Sequence, residues 1–269
     1  MLWNAKNGLV PVGGSVMHYV SFGHGGQAVI VLPGLSDGLT TVKGKALMLI
    51  QPYLPYLDRY TVFLFSRKDE LPEGCTIREM AADQAAAMRT LGLKNACVLG
   101  VSEGGMIAQY LAIDAPELVS RLVIAVSACR VNPIIEENLQ RWHGFAMAGD
   151  HRSLMIDTAE KSYSPQRLKK YRKYYPLLGH LGKPADYGRF LANLNAIRGF
   201  DAASELAAVR SPALILGGSE DQIVGGSASL ELQERIAGSQ LHLYSGLGHA
   251  AYEEAGDFYA RVFRFFDAE

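Results

Sequence analysis

A serine, an aspartate and a histidine stand in sequence contexts that suit nucleophilic chemistry. Ser102 lies between Gly100 and Gly104 in the stretch VLGVSEGG. Asp221 lies in GGSEDQIV and His249 in SGLGHA, and each follows a short apolar run. A serine hydroxyl becomes a nucleophile when a histidine takes its proton and a carboxylate orients that histidine. These three side chains could therefore form an acyl-enzyme with a carbonyl substrate.

The meaning of the Gly-x-Ser-x-Gly pattern depends on the elements around it, because the pattern itself is short. Residues 96–101 are continuously apolar and predict a strand, and apolar residues recur at helical spacing just after Ser102. A serine on a sharp strand-to-helix turn has a strained backbone, and the strand and helix crowd together there. We therefore predict that Ser102 is the nucleophile and that this turn requires Gly100 and Gly104.

Short apolar runs recur along the chain and predict strands. They cover residues 16–22, 28–32, 61–65, 96–101, 122–127, 213–217 and 241–245. Most of the later runs do not alternate with polar residues, which is typical of parallel strands covered on both faces. Helical patterns separate them, and one opens with a capping box formed by Thr76 and Glu79. The pattern predicts an α/β fold, a doubly wound and mostly parallel sheet of about eight strands.

One long stretch interrupts this alternation. Only helical patterns and turns lie between residues 127 and 213, and Asn132-Pro133 and Ser164-Pro165 mark helix starts. We predict an all-helical cap, or lid, over residues 131–200, inserted into a core formed by residues 1–130 and 201–269. Aromatic residues of this segment are expected mainly to pack its helices, with one or two lining an acyl pocket. They are Trp142, Phe145, Tyr171, Tyr174, Tyr175 and Phe190.

The three candidate residues follow predicted parallel strands, so they are expected at one edge of the sheet, where open α/β sheets bind ligands. For the acid, Glu220 is adjacent to Asp221 and Asp201 lies upstream, and we favour Asp221. His24-Gly25-Gly26 precedes a strand and therefore lies at the opposite edge, where we interpret it as a hairpin turn.

The chain order serine, aspartate, histidine and the turn around Ser102 resemble the α/β-hydrolase superfamily. The resemblance spans nearly the whole chain and includes Pro33-Gly34 after a strand, the helical cap, GxxDxxV over 218–224 and Gly248-His249. It implies an oxyanion hole made by the backbone N–H groups of Leu35 and Glu103. Proline stands here where many relatives have histidine, which leaves the backbone donor in place. No metal or organic cofactor is implied, since the sequence contains no cluster of ligand residues.

Two charged features allow two interpretations each. Glu103 stands in the first turn of a helix, where a carboxylate complements the helix dipole, and we prefer this role to a substrate-facing one. The basic run between Arg167 and Lys173 is interpreted as a solvated helix face, with an anion-attracting rim as the alternative.

Composition excludes several classes of partner. The chain has 26 basic and 27 acidic residues, so it lacks the positive field that nucleic-acid binding needs. Its apolar runs are too short to span a membrane, and the N-terminal residues lack the pattern of a signal peptide. Cys75, Cys97 and Cys129 form no disulfide framework or metal-ligand spacing. We expect a cytoplasmic protein with a small-molecule, ester-like substrate; the oligomeric state does not follow from the sequence.

The expected function is that of a serine hydrolase acting on a small or medium carboxylic ester. Hydrolysis of a thioester, lactone, amide or carbon–carbon bond uses the same three residues and stays open. A ligand-binding signalling protein on the same scaffold is the alternative from another class, and the intact set of three residues counts against it.

Overall fold

The computed structural model describes residues 2–268; Met1 and Glu269, the outer ends of the predicted core, lie outside the described residues. Within that range eight strands form one sheet. They are β1 (Lys6–Val12), β2 (Ser15–Gly23), β3 (Gln27–Leu32), β4 (Tyr60–Lys68), β5 (Ala96–Val101), β6 (Val119–Ala125), β7 (Ala213–Gly218) and β8 (Gln240–Tyr244). Their order across the sheet is β1-β2-β4-β3-β5-β6-β7-β8. Strand β2 pairs antiparallel with both of its neighbours, β1 and β4. The six strands from β3 to β8 are parallel to one another.

Helices cover both faces of this sheet, as a doubly wound fold requires. The core helices are α1 (Ala46–Leu49), α2 (Ile77–Thr90), α3 (Glu103–Asp114), α9 (Ala228–Arg235), α10 (Ala251–Glu254) and α11 (Phe258–Asp267). Met88 of α2, Leu111 of α3 and Leu232 of α9 belong to the apolar layer on one face. Phe263 of α11 belongs to the layer on the other. The predicted fold class is confirmed, and no helix within residues 2–268 is long and apolar enough to cross a bilayer.

Five α-helices lie between β6 and β7 and form the inserted segment, residues 131–200. They are α4 (Pro133–Met147), α5 (His151–Ser162), α6 (Pro165–Tyr171), α7 (Tyr175–Leu178) and α8 (Gly188–Arg198). The side chains of Asn132 and Ser164 cap α4 and α6, and the prolines that follow them take the first helical positions. The basic residues between 167 and 173 are exposed to solvent, as predicted for a helix face.

Two sequence predictions at the start of the chain need correction. Strand β1 was missed, because its sequence, KNGLVPV, contains glycine, proline and polar residues that are depleted in strands. The turn at His24-Gly25-Gly26 is not a hairpin turn, since β4 lies between β2 and β3 in the sheet. The hairpin joins β1 to β2 through Gly13 and Gly14, whose φ angles of 55° and 80° suit a tight hairpin turn.

Candidate active site

Ser102 lies on a strained turn between β5 and α3. Its φ of 55° and ψ of −120° are unfavourable for a residue with a side chain. Cβ atoms added at Gly100 and Gly104 would overlap backbone atoms, those of Gly104 and of Leu32 respectively. The turn therefore depends on both predicted glycines, and it holds the serine at the carboxyl end of the central strand.

His249 stands between Ser102 and Asp221 and contacts both. Its Nε2 lies 2.9 Å from Ser102 Oγ, and its Nδ1 lies 2.8 Å from Asp221 Oδ2. Both His249 and Asp221 are buried. With the proton on Nδ1, the ring donates to the carboxylate and its Nε2 can accept the serine proton. The structure thus brings together three residues that are separated by up to 147 positions in the chain.

The carboxylate of Asp221 is held in its ionised form. Burial opposes ionisation, but His249 and the backbone N–H groups of Ile223 and Val224 outweigh it, so the pKa of Asp221 is lowered. Those two N–H groups donate to Oδ1 at 2.8 and 3.0 Å, which leaves Oδ2 for the histidine.

The alternative acids lie elsewhere. Glu220 is exposed and accepts a hydrogen bond from the Ser219 hydroxyl. Asp201 accepts one from the N–H of Ala203, at a bridge to Arg130.

The predicted oxyanion donors line the cavity in front of Ser102. Leu35 and Glu103 both belong to its lining, and a Cβ built on Gly34 would lie 3.2 Å from Ser102 Cβ. Within residues 2–268, neither the N–H of Leu35 nor that of Glu103 donates to a protein acceptor. Both donors are therefore available to an oxygen atom bound beside the serine.

The cavity has a volume of about 170 Å³ and lies between the sheet edge and the inserted segment. Its lining is mostly apolar, and it includes two of the six aromatic residues of that segment, as predicted. No lysine or arginine within residues 2–268 lines it. The apolar lining residues are Leu35, Leu39, Val101, Met106, Ile135, Leu139, Trp142, Leu154, Met155, Phe190, Ile197, Ile223, Val224 and Tyr252.

Glu103 lies in the first turn of α3, as predicted, but its carboxylate contacts an arginine that the sequence did not indicate. Its side chain is fully buried, and its Oε2 lies 2.9 Å from Nη2 of Arg67, a residue at the end of β4. Burial raises the pKa of Glu103 to about 7, although the guanidinium of Arg67 acts in the opposite direction. Sequence reasoning missed Arg67, because it stands as a single arginine after an apolar run and its partner lies 36 positions away.

Two further charged residues, Asp37 and Arg189, extend the ion pair between Glu103 and Arg67. Asp37 follows the predicted oxyanion loop, and its Oδ2 lies 3.6 Å from Nη1 of Arg67 and 2.7 Å from Nη2 of Arg189. Arg189 belongs to α8 of the inserted segment. Within residues 2–268, no group of His, Cys, Asp or Glu side chains suits a metal ion.

The chain is similar in sequence to known hydrolases. A family model described as the alpha/beta hydrolase fold matches residues 29–256. An AB hydrolase superfamily protein of Bacillus subtilis, YisY, is 28% identical over 198 residues, covering 71% of this chain and 73% of that protein. A 2-hydroxy-6-oxononadienedioate/2-hydroxy-6-oxononatrienedioate hydrolase of a Pseudomonas species is 29% identical over 198 residues, covering 70% and 69%.

A solved structure shows the same architecture. An α/β hydrolase enzyme from a Medee basin deep-sea metagenome library superposes with a TM-score of 0.84. The superposition covers 97% of this chain and 98% of that one, at 19% sequence identity. At that identity the likeness concerns the fold alone.

Proposed function

This chain belongs to the α/β-hydrolase family, and from that membership we propose that it is a serine hydrolase cleaving a small or medium, neutral carboxylic ester. The observation that carries the proposal is the continuous chain of contacts from Ser102 Oγ through the His249 ring to Asp221. Such a chain supplies a nucleophile, a general base and the carboxylate that orients the base.

Each group has a defined role in the proposed reaction. Ser102 Oγ attacks the ester carbonyl while His249 Nε2 takes its proton, and Asp221 stabilises the resulting imidazolium. The N–H groups of Leu35 and Glu103 bind the oxyanion, which is worth on the order of 3 kcal/mol per donor. His249 then protonates the departing alcohol, and a water molecule releases the acid from the acyl-enzyme by the same steps.

The cavity supports a neutral acyl group. A carboxylate bound away from water needs a cationic partner, and within residues 2–268 no lysine or arginine lines the cavity. The Pseudomonas relative is named for dienedioate substrates, which carry two carboxylates. We therefore place the substrate of this chain outside that class, among uncharged esters of small or medium size.

The inserted segment serves as a cap in this proposal. Residues 131–200 supply Trp142, Phe190 and other apolar lining residues, while the described core, residues 2–130 and 201–268, carries Ser102, Asp221 and His249. Three buried, free cysteines support the cytoplasmic location inferred from the sequence.

Labelling with a fluorophosphonate probe and burst kinetics with 4-nitrophenyl butyrate test the proposal. We expect labelling at Ser102 and a burst of nitrophenol, followed by steady turnover. Ser102→Ala should lower kcat by roughly 10⁶, as removal of a triad serine does in a comparable hydrolase. Ser120→Ala, at the amino end of β6, is the matched control and should keep wild-type activity.

The outcome also separates the alternatives. Stable binding of an ester with no labelling and no turnover would favour the ligand-binding signalling protein and end the hydrolase proposal. Labelling of Ser102 together with faster turnover of a thioester, lactone or amide would keep the mechanism and change the substrate class.

A further inference from the structure

Four charged side chains form an alternating row beneath the predicted oxyanion hole. In order they are Glu103, Arg67, Asp37 and Arg189. Arg67 and Asp37 are 4% and 1% exposed, Glu103 is fully buried, and Arg189 is 17% exposed. Their formal charges cancel, which is how charged groups persist away from water. This charge row contacts both chain segments that carry the oxyanion donors.

Arg67 holds the peptide group that contains the first donor. Its Nη1 donates to the carbonyl oxygen of Gly34 at 3.3 Å. That carbonyl and the N–H of Leu35 belong to one planar trans peptide, so they point in opposite directions. The N–H of Asp37, whose carboxylate Arg67 also contacts, donates to the same oxygen at 3.1 Å. Together these bonds fix the carbonyl toward Arg67 and therefore aim the Leu35 N–H away from it, toward the cavity. A hydrogen bond to the carbonyl also polarises the N–H of the same peptide.

The same guanidinium contacts the residue that carries the second donor. Nη2 of Arg67 lies 2.9 Å from the carboxylate of Glu103, the first residue of α3. Arg67 thus spans the loop after β3 and the turn before α3, two segments that are 68 positions apart. Oxyanion donors lower a barrier only when both point at the place where the charge develops.

The inserted segment reinforces this arrangement from the other side. Arg189 Nη2 lies 2.7 Å from Asp37 Oδ2, and its Nη1 donates to the Asp37 carbonyl. The backbone N–H of Arg67 donates to the same Asp37 Oδ2 at 3.0 Å. A Cβ on Gly38 would lie 2.9 Å from Phe190 Cα, so α8 packs directly on the turn that follows the oxyanion loop.

We propose that Arg67 is a positioning residue that sets the spacing and direction of both oxyanion donors, with Arg189 securing Asp37 from the inserted segment. Arg67 lies outside the cavity lining, so it does not touch substrate and acts through the two backbone groups. The inference rests on the proposed serine hydrolysis. The proposal predicts that loss of Arg67 lowers kcat and leaves KM nearly unchanged, because the oxyanion forms in the transition state and is absent from the bound substrate.

The test compares Arg67→Lys with Arg78→Lys in the full-length enzyme. Lysine keeps the charge but cannot reach Gly34 O and the Glu103 carboxylate with a planar fork. We expect kcat for 4-nitrophenyl butyrate to fall about 10-fold to 100-fold, less than the loss of an entire donor, with KM within about 2-fold. Arg78 pairs with Asp114 and Glu205 on the surface, and its substitution should leave both constants unchanged.

A boronic acid inhibitor provides the readout that a purely structural role would not move. Its tetrahedral adduct on Ser102 places an oxygen in the oxyanion hole, so its Ki should rise by the factor by which kcat falls. The charge-balanced double variant Arg67→Met with Glu103→Gln covers the case in which Arg67→Lys does not fold. It removes one charge of each sign, and it should show the same separation of kcat from KM.

The results distinguish this inference from the function on which it rests. Wild-type enzyme that is neither labelled by a fluorophosphonate nor active on any ester would overturn both. An active, labelled wild type with folded variants whose kcat and boronate Ki stay within about 3-fold of wild type would overturn the role of Arg67 alone. A rise in KM with unchanged kcat would do the same.

Discussion

The two walls of the cavity are built in different ways. The core wall contains Ser102 and His249, which hydrogen bonds hold in line with Asp221 at the ends of parallel strands, together with apolar side chains such as Leu35 and Val101. The wall from the inserted segment is mostly apolar, with side chains such as Trp142 and Met155. Arg189, a charged residue of the inserted segment, does not line the cavity and instead forms an ion pair with Asp37.

This difference separates reactivity from selectivity. Polar groups fixed before the reaction stabilise charge that develops in the transition state, so the core wall should govern kcat. An apolar wall discriminates by size and desolvation, at about 1 to 3 kcal/mol for a methylene group, so the inserted segment should govern relative kcat/KM values. Substitutions on the two walls can therefore be told apart by which constant they change.

The largest effect in this comparison is expected at the carboxylate of the core wall. Asp221→Asn should lower kcat by about 10⁴, because the amide no longer holds the histidine in the required tautomer. Glu220→Gln, one residue away and exposed, is the matched control and should change kcat little. Steady-state kinetics of both variants with one neutral ester make the measurement. The opposite ranking would assign the acid to Glu220.

The free energy of unfolding of the protein should depend on pH through Glu103, a residue of the core wall. Its folded pKa of about 7 exceeds its ordinary value of 4.5, so the folded protein binds more protons between these values. This contribution to the free energy of unfolding is on the order of 3 kcal/mol. It is fully present below about pH 4.5 and is lost as the pH rises through about 7. Glu103→Gln should therefore gain stability relative to wild type as pH rises.

Urea unfolding at pH 5 and pH 8 measures this difference, and Glu79→Gln is the control. Glu79 is exposed, and hydrogen bonds from the Thr76 backbone and hydroxyl lower its pKa. Its contribution is lost only at lower pH, so Glu79→Gln should differ from wild type by the same amount at both values. An equal response of the two variants would mean that Glu103 is ionised like a surface carboxylate.

A smaller effect is expected on the wall from the inserted segment. Met155→Ala enlarges the cavity, and a longer acyl chain should fill the space at about 0.8 kcal/mol per buried methylene. The ratio of kcat/KM for octanoate over butyrate esters should rise roughly ten-fold. Met147→Ala changes the same residue type at an exposed position of α4 and should leave the ratio unchanged. A change in kcat alone for Met155→Ala would contradict the separation of the two walls.

The smallest effect concerns the basic run outside the cavity. Lys169 and Lys170 are exposed, and charges in water are screened over about 10 Å at ordinary ionic strength. Replacing both by glutamine should change kcat/KM for a neutral ester by less than about 2-fold, at low and at moderate salt. A loss of activity that appears only with anionic esters at low salt would instead support an anion-attracting rim.

Much of the core wall could be predicted from local sequence. Apolar runs of strand length, separated by helical patterns, are enough to predict that Ser102, Asp221 and His249 lie at one edge of the sheet. The glycines around Ser102 were predicted because a crowded turn excludes side chains whatever the rest of the fold does. Strand β1 is not predictable in this way, because its sequence has a low β-strand propensity and it forms a strand only by pairing with β2.

The sequence by itself determined the fold class, the strained turn and the three residues expected to act together, since periodicity and glycine requirements operate over a few neighbouring positions. Only the tertiary structure decided that the Glu103 carboxylate contacts Arg67 and that Arg67 and Arg189 both contact Asp37. The charge row joins residues between positions 37 and 189, and an ion pair has no periodic pattern in the chain. Its energy depends on burial and on separations of a few ångströms, which exist only after the strands, the turn and the inserted segment have packed together.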